Sequence, residues 1–380
     1  MGGWAATTDH PVDAGPPPTR TVATTTPAPP ATTTTLPPRR QATLAFGGDV
    51  LIHQGVWEAA AVDGTHDFSP MLEPISPILR LADVAICHLE VTLGQAGEGL
   101  SGYPRFRAPR PLAVDLAEAG FDGCSVASNH ALDHGEPGVR STLDALDEAG
   151  LGHAGTARSP EEDQRPAVYD AAGIRVAHLS YAYGFNGFEP PAGQHWLVDR
   201  IDPARILADA RAARADGAEL VVVSLHWGAE YRHDVRPEQQ AVADALAAEP
   251  GVVDLVAGHH AHVVQPISRV GGLWVVWGMG NLLSNNSPGC CTTEATDGLV
   301  VTVRVGDRPD RTGVEVQGVT VTPTWNERDG YRVLPAAEAL AAGVADPRLA
   351  AALRSSFERT MGHVTALDPA LPVAPSTPLP

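Results

Sequence analysis

Lysine is absent from this chain, and every one of its 26 basic residues is arginine. Beside the abundance of Ala, Gly and Pro, that reads as a bias of genome composition and carries no functional information. No run of clustered arginines occurs, and the formal charge is −19. A binder of phosphate backbones works by counterion release and needs the opposite, so nucleic acid is excluded as a partner. Nothing approaches the ~20 consecutive apolar residues of a bilayer-spanning helix. A charged start followed by an apolar run and a cleavage site is missing too. Aromatics are sparse, which gives no sign of a nucleobase pocket. Cysteine is limited to four residues. Cys87 and Cys124 lie in apolar, strand-like segments and are expected to be free thiols acting as small hydrophobes. Cys290 and Cys291 lie in a Ser/Asn/Pro/Gly loop, where a disulfide would suit an oxidising compartment. Their spacing does not match a four-cysteine zinc site.

What is present divides into three parts. Residues 1–40 are Thr/Pro/Ala-rich (TRTVATTTPAPPATTTTLPP) and cannot bury enough apolar surface to offset ordering. They are expected to form a disordered tether, with an anchor or signal preceding Met1 and the domain held outside the cytoplasm. Residues 41–365 are expected to form one domain, and 366–380 a Pro-rich tail. Within the domain, short apolar segments alternate with helical ones: TLAFGGD, VAICHLE, PLAVDLAEAG, FDGCSVASNH, PGVRSTLDALDEAG, RVAHLSYAYG, PARILADARAARADG, ELVVVSLHWG, PEQQAVADALAAEPG and VDLVAGHH. The alternation predicts an α/β fold with much parallel sheet. GLWVVWGMGN, GLVVTVRV and GVEVQGVTVTP then predict consecutive strands toward the C-terminus, before a final helix over roughly 336–361.

Five times an apolar strand ends and a metal-type ligand follows within a residue or two: Asp49, Glu90, Asn129-His130, His226, and His259 to His262. Ligands of open α/β sheets gather beyond the carboxyl ends of strands, so these distant segments are expected to converge. Taken singly, Asp49 is also a turn or cap residue, Asn129 a turn residue, and His226, Trp227 and Tyr231 packing residues. Glu90 is harder to explain away, because a carboxylate at a buried strand end needs a partner. Together they form a mixed O/N set suited to one or two divalent transition-metal ions, Mn, Fe or Zn. Two such ions can share a hydroxide nucleophile and clamp developing oxyanion charge. An imidazole outside the metal shell, His130, can then protonate the leaving group.

The series GGDVLIHQ, HLE, SNHALDHGEPGVRSTLDAL, SLHWGAEY, GHHAHVVQPI and WGMGNLLSN resembles the signature motifs of the CapA (poly-γ-glutamate capsule biosynthesis) family, a branch of the calcineurin-like metallophosphatases. The resemblance runs from about Thr43 to Asp297. It implies a four-layer αββα sandwich with a metal centre at the loop edge and a mostly antiparallel segment toward the C-terminus. Residue by residue it implies Asp49, Glu90, Asn129, His226, His260 and His262 as metal ligands, Glu90 in the bridging position. It makes His130 the general acid and Asp133 the carboxylate that orients its ring. His53, His88, His259, Glu230 and Asn281 are further candidates for the metal or its surroundings, and Arg107 and Trp227 for substrate. Two departures stand out. Leu51 occupies the position where the wider superfamily has a ligating His, and His88-Leu89-Glu90 replaces the usual Asn-Leu-Glu. The implied function is a metal-dependent hydrolase or transferase acting on poly-γ-glutamate or a similar anionic surface polymer, beside a membrane-bound synthesis complex. The competing expectations are a non-catalytic accessory with a structural metal and a secreted phosphoesterase.

Overall fold

The computed structural model describes residues 1–6, 15, 39–95, 97–310 and 312–379. Most of the expected tether therefore lies outside the described residues. The chain divides into Met1–Pro38 and Arg39–Pro380, and the described strands and helices all lie in the second unit.

Strand parity explains the layers of that unit. In the strand Leu220–His226, Leu220 and Val222 point to one side, while Val221, Val223 and Leu225 point to the other. Side chains alternate along a strand, so an all-apolar run must be covered on both faces. That is what the fold provides. One sheet contains β1 (Gln41–Leu51), β2 (Val84–Leu89), β3 (Gly123–Ser125) and β4 (Gly152–Ala154) as parallel neighbours. The second contains β5 (Ala167–Ala171), β6 (Ile174–Ala182), β7 (Leu220–His226), β8 (Leu255–His259), β9 (Ile267–Val270) and β10 (Leu273–Val276), in the order β9-β10-β8-β7-β6-β5. The chain then returns to the first sheet with β11 (Asn281–Ser284), β12 (Asp297–Asp307), β13 (Val314–Asn326) and β14 (Val333–Pro335). Strand β11 pairs parallel with β1, whereas β12, β13 and β14 extend the sheet in antiparallel fashion.

Leu44, Phe46, Val84, Ile86, Val222, Leu255, Leu299 and Val301 fill the space between the sheets. Helices α1 (Leu112–Ala119) and α2 (Gly135–Glu148) cover the outer face of the first sheet, and α3 (Pro203–Ala215) and α4 (Pro237–Ala247) that of the second. Helix α2 shows why it lies there: Val139, Thr142, Leu143 and Leu146 are among its buried residues, spaced three and four apart on one face. Pro203 opens α3 behind Asp202, whose carboxylate accepts from Ala204 N at 2.9 Å, satisfying a donor the helix leaves free. The result is a four-layer αββα sandwich of the metallophosphatase type.

Three sequence expectations change. The single final helix is two, α5 (Ala336–Ala342) and α6 (Pro347–Val364), because Gly343 turns to φ 93° and Asp346 caps a new start. The Pro-rich stretch 366–380 is not merely a tail: β15 (Val373–Pro375) pairs with β13. Cys87 and Cys124 are not free thiols, since parallel register sets them opposite each other on β2 and β3 and they pair as a disulfide. Cys290 and Cys291 pair with each other.

Candidate metal centre

Toward the carboxyl ends of the parallel strands, the stripe facing the interlayer changes from apolar to polar. Val222 gives way to Ser224 and His226, Ile86 to His88, and Ala257 to His259, each two residues further on and therefore on the same face. Register then aligns the ends, with Asp49 opposite His88 and Asn281, and His226 opposite His259. The backbones approach closely here. A Cβ on Gly48 would run into the Gly280 carbonyl, and one on Gly258 into that of Trp277.

Asp49 is buried and receives three groups. His259 Nδ1 lies 3.1 Å from Oδ1, His262 Nδ1 lies 3.1 Å from Oδ2, and His260 N donates to Oδ2 at 3.2 Å. Burial alone would raise this carboxyl, but the hydrogen bonds from His259 and His262 hold it far below the usual range. His262 Nδ1 is also 3.0 Å from Asn281 Oδ1, whose amide donates to the His262 and Ala295 carbonyls. Nδ1 thus faces acceptors only and carries the hydrogen, which leaves Nε2 turned to Glu90 Oε1 at 3.6 Å. His260 and His262 occupy the left-handed region, at φ 86° and 55°, a cost of ~1–3 kcal/mol each that surrounding structure must offset.

Glu90 lies at the centre. Both its carboxylate oxygens are buried and without a hydrogen-bond partner, and Oε1 is 3.9 Å from His226 Nε2. Burial pushes this carboxyl up to about 8. Against burial, the charges of Glu90 and Asp49 lift His262 to about 9. Burial holds His88 and His226 well below the usual imidazole range and puts His260 at about 3. Glu90, whose two buried oxygens meet no hydrogen-bond donor and are set among imidazoles, fits a divalent cation. Three sets of ligand atoms lie within 4.8 Å of one another: Asp49, His88 and His259; His88, Glu90 and His226; and Glu90, His260 and His262. An O/N set of carboxylates and imidazoles matches the chemistry of a transition metal.

Asn129 Oδ1 is 3.0 Å from His226 Nε2, so Asn129 belongs to the same cluster. Its neighbour His130 points elsewhere: His130 Nδ1 meets Asp133 Oδ2 at 2.8 Å, and that same oxygen accepts from Phe106 N at 2.6 Å. His53 is not drawn in. Phe106 packs edge-on to both His53 and His130, at 5.1 and 4.6 Å between ring centres, and His53 Nδ1 faces the Leu51 carbonyl at 3.1 Å. Glu230 is exposed, on the loop after β7.

Two residues expected at the substrate make other contacts. Trp227, one residue beyond His226, takes the opposite face. It is buried under α3 and α4, stacks on Trp277 and donates to the Trp277 carbonyl at 2.9 Å. Arg107 spends its guanidinium on Gly99 O, His134 and Glu98. Arg105 is the arginine beside Asp133: its Nε donates to the Asp133 carbonyl at 2.7 Å and its head lies over Phe188. Sequence reading also missed Asn186, whose side chain lies 3.4 Å from those of Asn129 and His130, and Tyr183, whose ring lies 4.6 Å from that of His260. The apolar-strand-then-polar pattern of YAYGFN was their signal.

Residues 43–286 match the family described as Bacterial capsule synthesis protein PGA_cap. The chain belongs to that family. It is 27% identical over 254 residues to the Capsule biosynthesis protein CapA of Bacillus anthracis, covering 63% of this chain and 59% of that one. It is 25% identical over 248 residues to the PGA biosynthesis protein CapA of Bacillus subtilis, covering 63% and 62%. A Mycobacterium tuberculosis relative, named as a probable polyglutamine synthesis accessory protein, is 31% identical over 216 residues, covering 53% and 56%. The chain thus spans about three fifths of the length of these curated relatives. A crystal structure of a candidate 5'-nucleotidase from Staphylococcus aureus, in complex with α-ketoglutarate, aligns with TM-score 0.50 and 16% identity, covering 83% of this chain and 58% of that one. That likeness concerns the fold.

Proposed function

We propose that this member of the capsule-synthesis family is a metal-dependent hydrolase or transferase. It acts outside the cytoplasm on poly-γ-glutamate or a similar anionic surface polymer, at an amide or phosphoester bond, beside the membrane-bound synthesis machinery. The observation that supports it best is Glu90, a fully buried carboxylate with two unpartnered oxygens among imidazoles. Asp49, Glu90, Asn129, His226, His260 and His262 would hold one or two divalent ions. Ions bound there would supply Lewis acidity and a lowered pKa for water.

The chain's own residues do the rest. Asp133 accepts the His130 Nδ1 hydrogen and so fixes the ring, leaving Nε2 as the nitrogen that hands a proton to the leaving group. Phe106, through its N–H on Asp133 and its ring against His130, holds both members in place. Asn281 keeps His262 Nδ1 occupied, so that Nε2 faces Glu90.

The test is turnover by the full chain with added Mn, Zn or Fe, on poly-γ-glutamate, γ-glutamyl peptides and p-nitrophenyl phosphoesters. His130→Ala is expected to lose activity at least ~100-fold with metal content unchanged. Undiminished turnover in that variant would remove His130 from the mechanism. No turnover on any substrate by metal-loaded protein would favour the accessory role that the mycobacterial relative's name carries.

A further inference from the structure

A buried file of side chains runs behind the proposed ligands. Ser125 Oγ lies 2.8 Å from His88 Nδ1, His88 Nε2 lies 2.9 Å from His226 Nδ1, and His226 Nε2 lies 3.0 Å from Asn129 Oδ1. At its far end Ser125 Oγ also reaches the Cys87 carbonyl, at 3.3 Å. All four side chains are buried.

Each neutral imidazole carries one N–H. Two ring nitrogens 2.9 Å apart share a single hydrogen between them, so both rings must run in the same sense. Only two arrangements give each ring one hydrogen and place a single hydrogen between the two rings. In one, Ser125 donates to His88, His88 Nε2–H to His226, and His226 Nε2–H to Asn129. In the other, His226 Nδ1–H donates to His88 Nε2, His88 Nδ1–H to Ser125, and Ser125 to the Cys87 carbonyl. Both hold three hydrogens: between them each ring's hydrogen changes from Nε2 to Nδ1 and the serine hydroxyl rotates, with no change in charge. The second alone leaves His226 Nε2 as a bare lone pair among Asn129 Oδ1 and Glu90 Oε1, where a cation would sit.

We propose that His88, backed by Ser125, is a positioning residue that fixes the metal-competent tautomer of His226 and is not itself a ligand. This deepens the metal reading and rests on it. Although His88 stands close enough to Asp49, His259 and Glu90 to pass for a ligand, Ser125 and His226 occupy both its ring nitrogens. The imidazole that replaces the amide in this chain's His-Leu-Glu therefore adds nothing to the ligand count. It lengthens the support behind His226 by one hydrogen bond.

The test is zinc affinity of the full chain by chelator competition, with the ¹⁵N shifts of the histidine rings read in the zinc-loaded protein. His88→Phe is expected to weaken zinc about 10- to 100-fold, as loss of a ligand's orienting partner does. His88→Gln, whose amide oxygen reaches the position of His88 Nε2 and can accept from His226 Nδ1–H, should recover most of that loss, and Ser125→Ala should fall between. In the wild type, His226 should show a protonated Nδ1 and zinc on Nε2, and His88 a protonated Nδ1 and an Nε2 without zinc. A zinc-type shift on His88 would overturn the proposal, as would failure of His88→Gln to bind better than His88→Phe. Should His88→Phe not fold, the wild-type spectrum decides alone. A wild-type chain that takes up no zinc, manganese or iron sinks the metal reading itself. One that binds zinc as tightly with Phe at 88 sinks only this inference.

Discussion

The two ends of the parallel strands treat their carboxylates in opposite ways. At the amino ends an acid precedes strand after strand, and each caps the strand beside it. Asp83 accepts from Thr43 N at 2.8 Å, Asp122 from Ala85 N at 2.7 Å, Asp254 from Val221 N at 2.7 Å, and Glu219 from Arg175 N at 3.2 Å. Arginines complete the pairing: Arg214 meets Asp254, and Arg40 joins Glu219 to Asp307. At the carboxyl ends no arginine touches Asp49 or Glu90 among the described residues, and neither carboxylate oxygen of Glu90 has a hydrogen bond. Burial raises Asp122, Asp254 and Glu90 alike. Only the first two find a backbone donor. The acids that cap strands each come with a backbone donor, and Glu90, at the other end, does not.

The sharpest way to break this contrast is Glu90→Gln. It should abolish tight metal uptake, by at least ~100-fold, and yet leave metal-free protein as stable or more so by about 1–3 kcal/mol, because the orphaned carboxyl is gone. A chelated variant that melts well below the chelated wild type would show that Glu90 has a structural partner after all. Next comes metal removal. Chelation should lower the wild-type melting temperature, and manganese or zinc at about 100 times Kd should restore about 2.7 kcal/mol; a temperature indifferent to both would count against a metal centre. At the other end, Asp254→Ala should cost about 1–3 kcal/mol by stranding Val221 N and Arg214 while metal content stays unchanged, measurable by denaturant melts. Trp227→Phe removes one buried hydrogen bond and should cost about 1 kcal/mol without moving KM; a raised KM would reinstate Trp227 at the substrate. Asp83→Asn, on an exposed residue, should stay within ~0.5 kcal/mol.

The same contrast shows how far residue order alone reaches. The ends of TLAFGGD, VAICHLE, FDGCSVASNH, VVVSLHWG and LVAGHH point to convergence because strand polarity by itself sends them to one edge, and the helical spacing of α2 announces its buried face. The mirror pattern is equally legible: Asp83, Asp122, Glu219 and Asp254 each stand immediately before a strand. Period two by itself puts Trp227 on the face opposite His226. Other features depend on which strands become neighbours, and a linear pattern does not carry that. The Cys87–Cys124 pair needs β2 beside β3, the file through Ser125 needs the two sheets face to face, and the choice of Arg105 over Arg107 needs the Asp133 carbonyl in place.

The glycine contacts beneath the site have a consequence for descent. Gly48 meets Gly280 and Gly258 meets Trp277 through main chain alone, so the close approach of the strands that carry Asp49 and His259 is set by backbone. Rim residues such as Arg105, Tyr183 and Asn186 can be exchanged over evolutionary time without disturbing that approach. A change at these glycines would disturb that strand approach first.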